Sequence, residues 1–245
     1  MRQVASFACY YGLSNLAKLA GYSLVILQAE NYTPKELAWL ADQGVTVVAY
    51  VSVGEESTQR PDPTWLLRDV ATGEPVRNNR WGTFVVDCRS VSWRRYLLEQ
   101  RLPTLLARGA AGLFLDTVDV QEAYPATRQG VIELLHSVRR ACSGPLVVNR
   151  GFAILDTVLA VSDAIVFEAF TSYYDGEAYR AWEGTDLAWT AQVAVRLDAL
   201  RGVRPVLALD YASPADTGLR QRAQRRAEVY GFPSFVTTHA LDWLP

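Results

Sequence analysis

The sequence predicts a (β/α)8 barrel, a ring of eight parallel strands surrounded by helices. Two observations support this fold class: eight short apolar runs alternate with helical segments, and almost every run ends in a polar or acidic residue. Half of the 245 residues are hydrophobic, and no Pro/Gly/Ser-rich linker divides the chain, so residues 1–245 are expected to form a single domain. A doubly wound open sheet is the alternative, but its nucleotide-binding fingerprint is missing because no G-x-G occurs.

The first third of the chain supplies three of the predicted strands. They are expected at residues 6–11, 24–28 and 45–53. The helix between the second and third strands carries its own start signal: Thr33 is an N-cap, Pro34 occupies the first helical position and Glu36 completes a capping box. Gly44 ends this helix. The third strand has the strongest β pattern of the chain and runs into Glu55.

A long connection rich in Pro, Asp, Asn and Arg spans residues 57–90. It is longer than a barrel needs between a strand and a helix, and such connections are usually functional or disordered. Trp65, Trp81 and a strand-like segment at residues 83–87 favour an ordered connection. We therefore expect a lid or side wall over the strand ends, rather than a ninth barrel strand. The helix that follows is expected to be kinked by Pro103.

The fourth predicted strand lies in the segment 112–119, an apolar run that ends abruptly in acid. Aspartate is poor strand material and is rarely buried without a partner, so Asp116 is expected where the strand leaves the sheet. The remaining strands are predicted at residues 145–149, 164–168, 205–209 and 234–238. Ser213 and Pro214 are expected to open the last long helix.

Composition limits the partners of the protein. The net charge is -2 with acids and bases interspersed, so we expect neither a nucleic-acid nor a membrane partner. The N-terminal residues lack a long apolar segment and no apolar run reaches membrane-spanning length, so a soluble chain without an export signal is expected and localisation stays open.

Cys9, Cys88 and Cys142 lie far apart and without C-x-x-C spacing, which predicts unpaired, buried side chains.

Several reaction classes lack the residues that they require. A Schiff-base aldolase needs a lysine at a strand end, whereas Lys18 and Lys35, the only lysines, fall on outer helical segments. A zinc hydrolase normally shows clustered histidines, but His136 lies within a predicted helix and only His239 follows a strand. No Gly-rich phosphate loop and no G-x-S-x-G motif is present. No cofactor is expected.

In a barrel the carboxyl ends of all eight strands meet on one face, where active sites are built. The residues expected there are, in strand order, Tyr10 and Tyr11, Gln28, Gly54 and Glu55, Asp116 and Asp119, Asn149 and Arg150, Glu168, Asp210 and Tyr211, and His239 and Asp242. Five of these eight strand ends carry a carboxylate. One carboxylate alone is about as often a helix cap as a functional group, but five on one face indicate chemistry or a cationic ligand.

Two catalytic interpretations fit this acidic face, beside a third in which the barrel only binds carbohydrate. Glycoside hydrolysis needs a carboxylate pair, one of the two protonated, and aromatic or polar side chains that hold sugar rings. A magnesium-dependent enzyme would instead use oxygen ligands from Asp116, Asp119, Glu168 and Asp210. The tyrosines and tryptophans near the strand ends favour the glycosidase, because a metal site does not explain them.

Five motifs follow one another at the ends of predicted strands: YVSVGE (50–55), FLDTVD (114–119), VNRG (148–151), VFEAF (166–170) and LDYA (209–212). Together they resemble the endo-α-1,4-polygalactosaminidases, glycoside hydrolase family 114, over most of the chain. The resemblance implies a (β/α)8 barrel that cleaves α-1,4-linked galactosamine or N-acetylgalactosamine polymers. It also implies that Asp116 is the nucleophile and Glu168 the general acid/base.

The residues next to the two carboxylates agree with these roles. The polar neighbours Thr117 and Asp119 favour an ionised Asp116, whereas the apolar neighbours of Glu168 favour its protonated form. A separation of about 5 Å between the carboxyl groups would imply retention of configuration, and one of roughly 6.5 to 9.5 Å would imply inversion. We expect a retaining enzyme.

The other predicted site residues are expected to bind the substrate, an amino-sugar oligo- or polysaccharide. The protein is expected to be a monomer. Glu55, Asp119 and Asp210 are expected to pair with ammonium groups of neighbouring sugars. Tyr11, Tyr50, Tyr173, Tyr211 and Trp243 are candidates for stacking on sugar rings, and Gln28, Asn149, Arg150 and His239 complete the predicted site. Arg150 either orients one of the carboxylates or forms a structural ion pair.

Overall fold

The computed structural model describes residues 4–58, 61–200 and 203–245. Eight parallel strands form its main sheet, in the order in which they follow along the chain. They are β1 (Phe7–Tyr10), β2 (Leu24–Leu27), β3 (Thr46–Ser52), β4 (Gly112–Asp116), β5 (Leu146–Asn149), β6 (Ala164–Glu168), β7 (Val206–Tyr211) and β8 (Ser234–Thr237). Each lies within the residues predicted for it, except that β7 continues through Tyr211. The sequential order excludes the doubly wound alternative, whose strand order reverses at a switch point.

The last strand, β8, lies beside β1, so the sheet curls into a nearly closed barrel. The rings of Phe7 and Phe235, one from each strand, have centroids 5.8 Å apart. Beyond the strand ends, the backbone N–H of Tyr11 donates to the carbonyl of Leu241 at 2.7 Å. Every residue of β1, β2, β5 and β7 is buried, as expected for strands covered by helices outside and by the barrel core inside. The predicted fold class is confirmed.

Helices connect the strands. The described residues form α1 (Leu16–Leu19), α2 (Pro34–Asp42), α3 (Val91–Tyr96), α4 (Leu102–Ala107), α5 (Val120–Ala123), α6 (Arg128–Ala141), α7 (Leu155–Val161), α8 (Gly184–Asp198) and α9 (Thr217–Val229). The capping box of α2 is confirmed, because the Thr33 hydroxyl accepts from the Glu36 N–H at 3.3 Å and the Glu36 carboxylate accepts from the Thr33 N–H at 2.7 Å. The predicted start of α9 was three residues early: Asp216 is its N-cap and accepts from the Leu219 N–H at 2.9 Å.

Pro103 disturbs its helix in a specific way. A π-helical segment, Leu97–Arg101, separates α3 from α4. Proline has no N–H to donate and its ring crowds the preceding turn, which favours such local widening. The widened turn brings Leu97 and Arg101 to the wall of the cavity described below.

The long connection after β3 is ordered over its described part. It forms a three-stranded antiparallel sheet in which Thr83–Val85 lies between Glu55–Glu56 and Arg77–Asn78. This sheet is separate from the barrel, so the prediction of a side wall rather than a ninth barrel strand is confirmed. Residues 59 and 60 of the predicted connection lie outside the described residues.

The three cysteines, Cys9, Cys88 and Cys142, are unpaired and buried, as predicted. Cys9 lies on β1 and Cys142 directly follows α6. In the part of the chain that the structure describes, none of the helices combines the length and the apolar composition that a membrane crossing requires.

Candidate active site

A cavity of about 710 Å³ opens at the carboxyl ends of the barrel strands. It brings together twelve of the predicted site residues: Tyr11, Gln28, Tyr50, Glu55, Asp116, Asp119, Asn149, Arg150, Glu168, Tyr173, Tyr211 and His239 line it. Asp210 and Trp243 do not line it. This convergence follows from the parallel barrel, in which every strand ends on the same face.

One amide connects the two predicted catalytic carboxylates. Nδ2 of Asn149 donates to Oδ1 of Asp116 at 2.8 Å and to Oε2 of Glu168 at 2.6 Å. Because both distances end on one nitrogen, the two oxygens are no farther apart than the two distances together, about 5.4 Å. The bridge is possible because β5 lies between β4 and β6 in the sheet, so Asn149 ends its strand between the two acids.

Glu168 has a second donor. The hydroxyl of Tyr211, at the end of β7, donates to Oε1 of Glu168 at 2.6 Å. Both carboxylate oxygens of Glu168 therefore accept hydrogen bonds from side chains of neighbouring strands, and the position of this carboxylate is fixed from both sides.

The backbone turns sharply after each of the three central residues. Thr117, Arg150 and Ala169, which directly follow Asp116, Asn149 and Glu168, have φ values of 59°, 56° and 52°. This left-handed conformation is unfavourable for residues other than glycine, by roughly 1–2 kcal/mol each. Such strain persists only where surrounding contacts impose it, and it is concentrated at functional sites.

Burial dominates the electrostatics of the pair. Desolvation, followed by the nearby charge of Glu168, raises the pKa of Asp116 from 3.8 to about 7. The polar neighbours of Asp116 were expected to favour its ionised form, but they do not keep its pKa low. The Thr117 hydroxyl is hydrogen-bonded instead to Oγ of Ser52 at 2.8 Å, and the half-buried Asp119 adds negative charge that raises the pKa of Asp116 further. The site therefore binds a proton at neutral to mildly acidic pH.

Arg150 forms its ion pair away from the central carboxylates. Its Nε lies 3.2 Å from Oδ2 of Asp119. Burial raises the pKa of Asp119, and the positive charge of Arg150 partly offsets that rise. The structure thus selects the ion-pair interpretation of Arg150 over direct orientation of Asp116 or Glu168.

The connection after β3 supplies partners for Glu55 that the sequence did not reveal. Nδ2 of Asn78 and Oγ1 of Thr83 donate to the Glu55 carboxylate at 2.9 and 2.7 Å. Asn78 and Thr83 line the cavity with it. Nothing in the sequence near Asn78 pointed to this contact, because it depends on the pairing of three short strands.

Aromatic side chains wall the cavity. The ring of His239 lies between those of Trp81 and Tyr174, with centroids 4.4 and 4.8 Å away. Tyr173 stacks on Trp182 with centroids 3.8 Å apart, and Tyr11 meets Tyr50 edge-on at 5.2 Å. Trp81 belongs to the connection after β3, whereas His239 follows β8, so this connection reaches across the barrel mouth. Tyr174 and Trp182 were not predicted as site residues. Tyr174 lies on a hairpin, Ser172–Tyr174 with Tyr179–Ala181, and Trp182 directly follows it.

Asp210 occupies a different place from the predicted one. It is completely buried, does not line the cavity, and accepts hydrogen bonds from the N–H groups of Thr171 and Ser172 at 2.5 and 2.7 Å. This placement contradicts the predicted contact between Asp210 and a substrate or metal. The reason is that β7 continues to Tyr211, and side chains alternate along a strand, so Tyr211 enters the cavity and Asp210 does not. Trp243 also lies outside the cavity, against Arg220.

Among the described residues, no group of three or more His, Cys, Asp or Glu side chains could hold a metal ion. Asp210 is turned away and Asp119 is paired with Arg150. The donor set that the magnesium interpretation requires is therefore not assembled here.

A carboxylate pair bridged by an amide, at the strand ends of a (β/α)8 barrel and among aromatic rings, defines a glycosidase-type site. The sequence model of glycoside-hydrolase family GH114 matches residues 5–243. The chain belongs to this family and is a glycosidase. Both predictions, the family and the enzyme class, are confirmed. The search of curated protein sequences finds no relative.

Solved structures agree with the family assignment. The glycoside hydrolase domain of PelA from Pseudomonas aeruginosa is 32% identical, with a TM-score of 0.82 over 99% of this chain and 98% of that domain. Aspergillus fumigatus Ega3, in complex with galactosamine, shares the fold at 16% identity, with a TM-score of 0.74 over 99% of this chain and 95% of Ega3. An α-galactosidase from Thermus thermophilus shares it at 16% identity and a TM-score of 0.62, over 97% of this chain and 59% of the enzyme.

Proposed function

We propose that this glycosidase hydrolyses α-1,4-linked galactosamine or N-acetylgalactosamine polymers with retention of configuration, using Asp116 and Glu168. The observation that carries the proposal is the Asn149 bridge, which limits the nearest oxygens of the two carboxylates to about 5.4 Å. Retaining glycosidases separate their carboxyl groups by about 5–5.5 Å, whereas inverting enzymes need roughly 6.5–9.5 Å to admit a water molecule. The bridged geometry supports the double displacement.

In the proposed mechanism Asp116 attacks the anomeric carbon while Glu168 protonates the departing glycosidic oxygen. A covalent glycosyl-Asp116 ester forms and the C–O bond to the leaving sugar breaks. Glu168, now ionised, then takes a proton from water, which attacks the same carbon and releases Asp116. The pair needs one proton at the start, and the raised pKa of Asp116 supports uptake of that proton at neutral to mildly acidic pH. Productive binding requires the proton on Glu168 and the negative charge on Asp116.

The charge of the cavity supports an amino-sugar substrate. Its lining includes the acids Glu55, Glu56, Asp116, Asp119 and Glu168, against the cations Arg80, Arg101 and Arg150. An excess of carboxylates in a partly enclosed site attracts ammonium groups. The aromatic rings along the walls offer faces on which sugar rings stack. Ega3, which shares the fold, was crystallised with galactosamine.

The first test is the release of reducing ends from a partly deacetylated α-1,4-galactosaminan. We expect release by the wild type and none by Glu168→Gln, whose amide cannot donate the proton at the leaving oxygen. Glu133→Gln is the matched control, because Glu133 lies on α6 and pairs with Arg94, outside the cavity. Equal release by wild type and Glu168→Gln would refute the acid role. Binding without release by the wild type would leave a carbohydrate-binding protein.

A second experiment assigns the two roles separately. With an aryl α-galactosaminide and azide, Asp116→Ala should give the β-glycosyl azide, because azide then takes the place of the nucleophile. Glu168→Ala should give the α-glycosyl azide, because azide then attacks the covalent intermediate. The opposite pair of anomers would exchange the roles of Asp116 and Glu168.

A further inference from the structure

The loop after β6 is fixed by buried side chains. Oδ1 of Asp210 accepts from the N–H of Thr171 at 2.5 Å and from the N–H of Ser172 at 2.7 Å. These two residues lie three and four positions after Glu168, the last residue of β6. Charge-assisted hydrogen bonds to a buried carboxylate are stronger than neutral ones. Asp210 therefore ties the chain that leaves Glu168 to the neighbouring strand β7.

Two further side chains hold the same loop. The indole N–H of Trp182 donates to the carbonyl of Ala169 at 2.6 Å. The guanidinium of Arg226 donates to the carbonyl of Phe170 and lies 4.1 Å from the centre of that ring. The loop needs such support, because Ala169 has a φ of 52° and this conformation is unfavourable for alanine.

We propose that Asp210 is a positioning residue that keeps the carboxylate of Glu168 between Asn149 and Tyr211. The proposal rests on the proposed function, in which Glu168 is the acid/base. Consecutive residues of β7 hold the same glutamate in two ways: Tyr211 binds its carboxylate directly, and Asp210 holds the backbone that follows it. The hydroxyl of Ser172 also lies 3.4 Å from Oδ1 of Asp210, and the positive charge of Arg226 acts on the same carboxylate. The contacts of this buried carboxylate therefore all lead to the loop that follows Glu168 or to Arg226, which holds that loop.

The test compares Asp210→Ala and Asp210→Asn with the wild type. Alanine removes the acceptor for Thr171 and Ser172, and we expect kcat to fall about 10²-fold with KM little changed, the effect of a misplaced catalytic group. Asparagine keeps an acceptor oxygen without the charge, and we expect a smaller loss of kcat. In both variants hydrogen exchange at the amides of Thr171 and Ser172 should be faster than in the wild type.

Asp163→Ala is the matched control. Oδ2 of Asp163 also accepts from a backbone N–H, that of Leu146 at 2.9 Å, but at the opposite end of β6. This variant should lose stability and keep kcat. A readout independent of turnover is the carboxyl titration of Asp116 by carbon-13 NMR. The charge of Glu168 helps to raise the pKa of Asp116, so in Asp210→Ala that pKa should fall as Glu168 moves away.

The outcomes separate the two proposals. A lowered pKa of Asp116 in Asp210→Ala supports positioning even if the galactosaminan is not the substrate, whereas a wild type that releases no reducing ends refutes only the proposed function. Unchanged kcat together with faster exchange at Thr171 and Ser172 would overturn the positioning role. If Asp210→Ala does not fold, Asp210→Asn decides by the same comparison: kcat that falls with amide protection supports the role, and kcat that does not fall overturns it.

Discussion

The phenolic hydroxyl of Tyr211 lies 2.6 Å from Oε1 of Glu168 and donates to it across adjacent strands. Since Asn149 donates to the other oxygen of Glu168, the carboxylate is held from two directions before any substrate arrives. Pre-organisation of this kind removes the need to orient the acid during the reaction. It makes the residues around Glu168 as informative to mutate as Glu168 itself.

Replacing Tyr211 by phenylalanine should lower kcat about 10–100-fold. The ring still fills its site on β7, but one hydrogen bond to a charged group is lost, which corresponds to about 1.5–3 kcal/mol. The measurement is kcat on the proposed galactosaminan substrate, together with the thermal midpoint. Tyr22→Phe is the control, because Tyr22 packs against Phe235 and does not line the cavity. Equal kcat in Tyr211→Phe and the wild type would show that the hydroxyl of Tyr211 is not needed to position Glu168.

Asp116 should make the folded protein less stable as the pH rises. Its pKa is about 7 in the fold and close to 3.8 when unfolded, so the folded state binds the proton more tightly. The stabilisation from that proton is complete below pH 3.8 and disappears as the pH rises through about 7. In Asp116→Asn this dependence should vanish. The free energy of unfolding by denaturant, measured at pH 4.5 and pH 7, tests this prediction. Asp116→Asn should be more stable relative to the wild type at pH 7 than at pH 4.5. An equal difference at the two pH values would contradict the raised pKa of Asp116.

Asn149→Ala should move the titration of Asp116 to higher pH. The amide of Asn149 stabilises the ionised form of Asp116 and so lowers its pKa, against the larger effect of burial. Without the amide, the negative charge of Glu168 still raises the pKa of Asp116, but the hydrogen bond that lowered it is lost. Carboxyl NMR of Asp116 in the variant and the wild type measures the change, and the pH profile of kcat/KM should shift the same way. A titration that stays in place or moves to lower pH would contradict the bridging role of Asn149.

The parts of this site that the sequence predicted are those fixed by strand periodicity. A run of apolar residues ending in a polar one placed Asp116, Asn149 and Glu168 at strand ends, and the barrel then brought them together. The same reasoning failed for Asp210, because β7 runs two residues further than its apolar run and the side-chain alternation turns Asp210 away. The predicted end of β7 was two residues short. Because side chains alternate along a strand, this error decided whether Asp210 or Tyr211 was expected in the cavity.

Strand periodicity does not predict contacts between segments that are distant along the chain. Trp81 reaches His239 across the barrel mouth, and Tyr174, on a separate hairpin, packs against the same ring. The effect of the polar neighbours on the pKa of Asp116 was predicted wrongly for a related reason. The hydroxyl of Thr117 bonds to Ser52, and the backbone of Thr117 lowers the pKa of Asp116 by less than desolvation raises it. Burial is a property of the assembled barrel rather than of the local sequence.

Arg80→Gln should raise the pKa of His239. Burial lowers the pKa of His239 below its usual value of 6.5, and the positive charge of Arg80 lowers it further, with one guanidinium nitrogen 3.4 Å from Nε2. Removing that charge therefore favours the imidazolium form. The chain has two histidines, so the ring signals of His239 and His136 are easily separated in one NMR titration. His136 lies on α6, outside the cavity, and its ring signal serves as the internal reference. If His239 titrates at the same or lower pH in the variant, Arg80 does not face it in solution, and the connection after β3 does not cross the barrel mouth as described.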